Sequence, residues 1–109
     1  MATMTLRELC DSLGVTRRAV QGYEKAGLVC AVDKNERGYL LYDEEAQEKI
    51  DRIKVYQQFG FTIKEIHFLM NAPRCELKKA LEAQVEKMKR ERRTMDSLIQ
   101  KAYDIINTM

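Results

Sequence analysis

From Leu77 onward, apolar residues recur in alternating steps of four and three. The series runs Leu77, Leu81, Gln84, Met88, Glu91, Met95, Leu98, Ala102, Ile105 and Met109, and only Gln84 and Glu91 in it are not apolar. A 4–3 repeat sustained over several heptads, with charges placed elsewhere, is the pattern of a coiled-coil seam. At the helical rise such a seam is roughly 48 Å long. The residues before it are too few to cover a rod of that length, so the spacing predicts pairing with a second copy of the chain. Leu77, Leu81, Met88, Met95, Leu98, Ala102 and Ile105 are the expected dimerisation residues. The alternative is a long helix folded onto its own domain.

The preceding stretch reads as short, well-punctuated elements. Thr5 followed by Glu8 has the spacing of a capping box, and Leu6, Leu9 and Leu13 then share one helical face before Gly14. Thr16 is placed to cap a second helix to about Lys25, with Val20 and Tyr23 facing inward and Gly27 ending it. Two short helices around Leu13-Gly14-Val15-Thr16 make a helix-turn-helix pattern, which by itself also fits an ordinary helical hairpin. The runs Leu28–Val32 and Tyr39–Tyr42, around polar Asp33–Gly38, predict a β-hairpin. Asp43 caps a third expected helix to about Phe59, with Ala46, Ile50, Ile53 and Tyr56 as its buried stripe. Thr62 and Glu65 repeat the capping-box spacing and open a fourth, with Ile63, Ile66, Leu69 and Met70 inward, until Ala72-Pro73 stops it. The expected organisation is residues 1–72 as one domain and 73–109 as the pairing helix.

Charge alone does not announce a partner. Six Lys/Arg against five Asp/Glu in residues 1–42, four against six in 43–72, and nine against six in 73–109 sum to only +2. Any contact with a polyanion therefore depends on where the cations sit. No apolar run approaches a membrane span, and the first residues lack a basic stretch followed by an apolar one, which points to the cytoplasm. Cys10, Cys30 and Cys75 have no repeated spacing and read as free thiols, with Cys10 and Cys30 as small packing residues. A soft metal site needs two to four ligands, and no cysteine follows Cys75, so neither metal nor cofactor is expected. His67 stands alone, and no nucleophile–base set or phosphate-cradling glycine loop can be assembled. The composition does not suggest an enzyme. The run Lys87–Arg93 reads as the solvated face of the coil, with a second nucleic-acid patch as the alternative.

Several linked motifs resemble one family. Thr5-Leu6-Arg7-Glu8-Leu9, Leu13–Val20, Tyr23-Glu24-Lys25-Ala26-Gly27-Leu28, Gly38–Asp43 and Phe59–Ile66 follow the order and spacing of the MerR-family DNA-binding domain over about residues 5–70. The resemblance implies a mainly α fold: a winged helix-turn-helix with a small β-hairpin wing, a second helical pair, and a long C-terminal helix forming an antiparallel coiled-coil dimer. It implies a homodimer on a pseudo-palindromic promoter operator in double-stranded DNA, distorting the duplex so that RNA polymerase engages it. The positions it marks for DNA are Thr16, Arg17, Arg18, Gln21 and Tyr23 in the recognition helix, Lys34, Arg37 and Tyr39 in the wing, and Thr62 with Lys64. For Tyr39 and Tyr42, packing under the wing and DNA contact both stay open.

The departures matter too. The family commonly has arginine where this chain has Gln21 and Leu40, and an aromatic where it has Gly22. Fewer cations weaken phosphate attraction. Two other roles therefore stand beside transcription regulation. One is a modulator that heterodimerises with a full-length relative; the absence of an effector domain beyond Met109 also suits it. The other is an architectural, excisionase-like DNA-binding protein, for which the long pairing helix is superfluous.

Overall fold

A computed structural model describes residues 2–109, which fall into two compact units, one ending at Asn71 and one spanning Ala72–Met109. The first unit runs β1 (Met4–Thr5), α1 (Leu6–Leu13), α2 (Arg17–Lys25), β2 (Asp33–Lys34), β3 (Leu40–Tyr42), α3 (Glu44–Gln58) and α4 (Ile63–Met70). The second is a single helix, α5 (Arg74–Asn107).

Local chemistry sets the helix ends. Thr5 and Glu8 form the reciprocal box at the start of α1, and Thr62 and Glu65 do the same for α4. Thr16 and Asp43 each accept one backbone N–H at the starts of α2 and α3. Gly14 closes α1 in the left-handed region at φ 66°, and its N–H donates to the Cys10 carbonyl. A second device acts at the same end: Lys54 of α3 donates through Nζ to the Leu13 carbonyl at 2.8 Å. A cation there also suits the negative end of the helix dipole. Pro73 precedes the first residue of α5, where its missing N–H costs nothing.

The three strands lie in the order β1-β3-β2, all antiparallel, so Leu41 faces Thr5 on one side and Asp33 on the other. This sheet differs from the expected hairpin in two ways. A third strand, Met4–Thr5, joins it immediately before α1, and of the apolar run Leu28–Val32 only the end reaches the ladder, where the Val32 N–H donates to the Leu41 carbonyl at 2.9 Å. Leu28 and Val29 are buried core residues, and the ladder is carried by polar Asp33–Lys34. Cys30, expected to pack, is exposed.

The core of the first unit is built from Leu9, Val20, Tyr42, Ile50, Ile53 and Ile66, each fully buried. Burial of side chains this size stabilises by about 1.5–3 kcal/mol each. Tyr56 is only half-buried, with its ring edge-on to Phe61 at 6.3 Å. Along α5 no residue is buried, and Met95, Leu98 and Ile105 are all exposed. Among the described residues no helix is long and apolar enough to cross a membrane.

Candidate nucleic-acid interface

The start of α2 is electrostatically distinct. Helices α1, α3, α4 and α5 all carry an acidic residue in the first turn: Glu8, Glu44 with Glu45, Glu65 and Glu76. The first turn of α2 carries none and opens instead with Arg17 and Arg18, both exposed. Thr16 Oγ1 accepts from the Ala19 N–H at 3.0 Å, so its hydroxyl serves the cap. Gln21, one turn on, is exposed on the same side as Arg17, away from buried Val20 and Tyr23. A positive helix end with two guanidinium groups and no acidic residue in its first turn suits a phosphate or a base edge.

Tyr23 faces inward, as its spacing predicts. Only 3% of it is exposed, and its hydroxyl donates to Gln57 Oε1 of α3 at 2.6 Å. Burial pushes that hydroxyl's pKa up from its ordinary value. Tyr23 is thus a core strut fixing α2 to α3. Tyr42 holds α2 from the other direction: it is fully buried, and its hydroxyl donates to the Glu24 carboxylate. Burial, reinforced by that carboxylate, drives the Tyr42 pKa far upward. The open question over the wing tyrosines therefore has different answers for the two. Tyr42 packs, whereas Tyr39 is 58% exposed.

The wing is tightly tied at its tip. Asn35 Oδ1 accepts from the backbone N–H groups of Arg37 and Tyr39, both at 3.0 Å, and the Gly38 N–H donates to the Asn35 carbonyl at 2.9 Å. Gly38 takes φ 80°, which admits the sharp return. Lys34 and Arg37 project from this frame as exposed cations, but Asp33 and Glu36 balance them, so the tip has no net charge. Leu40 is half-buried beside it. At α4, the Thr62 hydroxyl accepts from the Glu65 N–H at 3.2 Å, and the Thr62 N–H donates to Glu65 Oε1 at 3.0 Å. That helix end is therefore already occupied by a carboxylate, and Lys64 is its exposed cation.

The marked residues thus form three sets: Thr16, Arg17, Arg18 and Gln21 on α2; Lys34, Arg37 and Tyr39 on the wing; Thr62 and Lys64 on α4. The side chains that orient α2 and brace α1 (Glu24, Gln57, Lys54) escaped sequence reasoning, because their partners lie 18 to 41 residues away. Among the described residues no cluster of three or more His, Cys, Asp or Glu side chains could hold a metal ion. Cys10 is half-buried, with its thiol pKa raised by burial against the opposing charge of Arg17; Cys30 and Cys75 are exposed.

Two helices around a tight turn, a tied wing and a following helical pair define a winged helix-turn-helix protein. A model of the MerR HTH regulatory protein family matches residues 4–73, and the chain belongs to that family. It is 35% identical over 63 residues to the mercuric resistance operon regulatory protein of Bacillus cereus, covering 58% of this chain and 48% of that one. It is 26% identical over 95 residues to the transcriptional activator mta of Bacillus subtilis, covering 87% and 37%. The chain thus spans half or less of the length of these curated relatives. Among solved structures, the N-terminus of the Bacillus subtilis multidrug transporter activator superposes with TM-score 0.72 at 24% identity, covering 94% of this chain and 97% of that one. HiNmlR, a MerR family regulator lacking the sensor domain and bound to promoter DNA, gives TM-score 0.71 at 17% identity, covering 91% and 80%. These likenesses show a shared fold.

Proposed function

We propose that this chain is a cytoplasmic, non-enzymatic DNA-binding transcription regulator. Two copies, paired antiparallel through Leu77, Leu81, Met88, Met95, Leu98, Ala102 and Ile105, grip a pseudo-palindromic promoter operator and distort it for RNA polymerase. The observation that carries this reading is the start of α2, where Arg17 and Arg18 stand exposed on a helix end free of acidic residues. Arg18 is assigned to base edges and Arg37 to phosphate; Lys34, Tyr39, Thr62 and Lys64 lie along the flanking backbone. The promoter-bound relative of the same fold supports the assignment.

The neutral wing tip and half-buried Leu40 favour a second reading, a modulator that heterodimerises with a longer relative. Titration of operator and scrambled DNA across a salt series separates the two. Arg18→Ala should weaken operator binding by about 1–3 kcal/mol and relax sequence preference. Arg37→Ala should weaken both DNAs alike and lower the salt slope by about 0.9 per lost contact. If neither substitution alters either quantity, the modulator is the better account.

A further inference from the structure

The proposed coil carries charges that distinguish its possible registers. Among the described residues, Lys78 and Glu82 close an ion pair at 3.9 Å along α5, and Lys89 and Glu86 close another at 3.4 Å. Lys87 and Glu91 have the same spacing as the first of these pairs. They are exposed, and no ion pair joins them among the described residues. Glu91 lies on the seam itself, and Lys87 flanks it on the side next to Met88. A carboxylate entering a desolvated seam needs a cation within reach.

We propose that Lys87 and Glu91 pair reciprocally across the dimer and fix its register, with the two-fold axis passing between residues 89 and 90. The inference rests on the antiparallel pairing proposed above. A two-fold axis perpendicular to both helices keeps each flank facing its own counterpart. In this register Leu81 packs beside the partner's Leu98. Glu91 packs its methylenes on the partner's Met88, and its carboxylate meets the partner's Lys87, once on each side of the axis. The competing arrangements bring like charges together. Sliding by one heptad sets Arg92 against the partner's Arg92 and Lys87 against the partner's Lys101. Parallel pairing sets Glu91 against the partner's Glu91 and Lys87 against the partner's Arg92.

Charge reversal discriminates by sign. Sedimentation equilibrium of the full chain gives the dimer dissociation constant, with circular dichroism confirming unchanged helix content. Lys87→Glu should weaken dimerisation about tenfold, because two attractions become two repulsions. Lys87→Glu combined with Glu91→Lys should recover most of that loss. In the slipped or parallel arrangement Lys87→Glu relieves a repulsion instead, so tighter or unchanged dimerisation overturns the register. Failure of the double exchange to recover overturns the pair, and a monomeric wild-type chain overturns the dimer on which both rest.

Discussion

The glycines at 14 and 22 make the same substitution act with opposite sign. Gly22 lies inside α2, its carbonyl accepts from the Ala26 N–H at 3.0 Å, and a Cβ added there meets nothing within 4 Å. Gly22→Ala therefore fills no void and creates no clash, so only intrinsic helix preference changes. That preference is worth about 1 kcal/mol in an exposed helix interior. For a unit of this size it corresponds to a rise in Tm of about 4–8 °C. At Gly14, φ is +66° and an added Cβ stands 3.2 Å from Lys54 Nζ. Gly14→Ala incurs about 1–2 kcal/mol of left-handed strain and disturbs the lysine that caps α1. Urea denaturation of the three proteins, followed by circular dichroism, measures both effects. The midpoint should move up for Gly22→Ala and down for Gly14→Ala, at constant slope. A Gly22→Ala protein no more stable than wild type, or a neutral Gly14→Ala, would refute the reasoning.

Tyr42 holds its proton more tightly in the folded chain than in the unfolded one, so its stabilisation is complete below the ordinary value of 10.0 and is lost as pH rises above it. Stability should fall above that value, and Tyr42→Phe should flatten the decline, leaving the parts due to Tyr23 and Cys10, whose pKa values burial also raises; equal slopes for wild type and variant would contradict the buried Tyr42–Glu24 bond. Leu98 is 53% exposed in the single chain, so Leu98→Glu should leave the fold of the first unit intact while separating the dimer. Sedimentation at tens of micromolar, an order-of-magnitude choice for a competent coil, should show a wild-type dimer and a monomeric variant; two dimers would remove Leu98 from the seam.

Much of the fold was legible because its signals are local. Thr5 with Glu8, Thr16, Asp43, and Thr62 with Glu65 act within three residues of themselves, so spacing alone located four helix starts. Strands were less legible. Met4–Thr5 is too short to show a period, and Leu28-Val29 is apolar because it fills the core, not because it joins the ladder. A short buried run has the same composition in either role. The candidate site divided along similar lines. Arg17, Arg18 and Arg37, marked by the family resemblance, lie exposed, as the proposed contact with DNA requires. The roles of the Tyr23 and Tyr42 hydroxyls were not legible, since their partners, Gln57 and Glu24, are brought near by folding alone.

The Asn35 lock at the wing tip bears on the thermodynamics of recognition. A loop that orders only on contact adds its own folding to the heat capacity of binding and an unfavourable conformational entropy to the affinity. With the Arg37 and Tyr39 N–H groups already held by one side chain, the wing of the proposed regulator would meet DNA with its backbone set. The Lys34, Arg37 and Tyr39 side chains then remain to be immobilised, at about 0.5–1.5 kcal/mol each. The heat capacity of binding at the wing therefore reports dehydration of the surfaces that meet, without a contribution from ordering of its backbone.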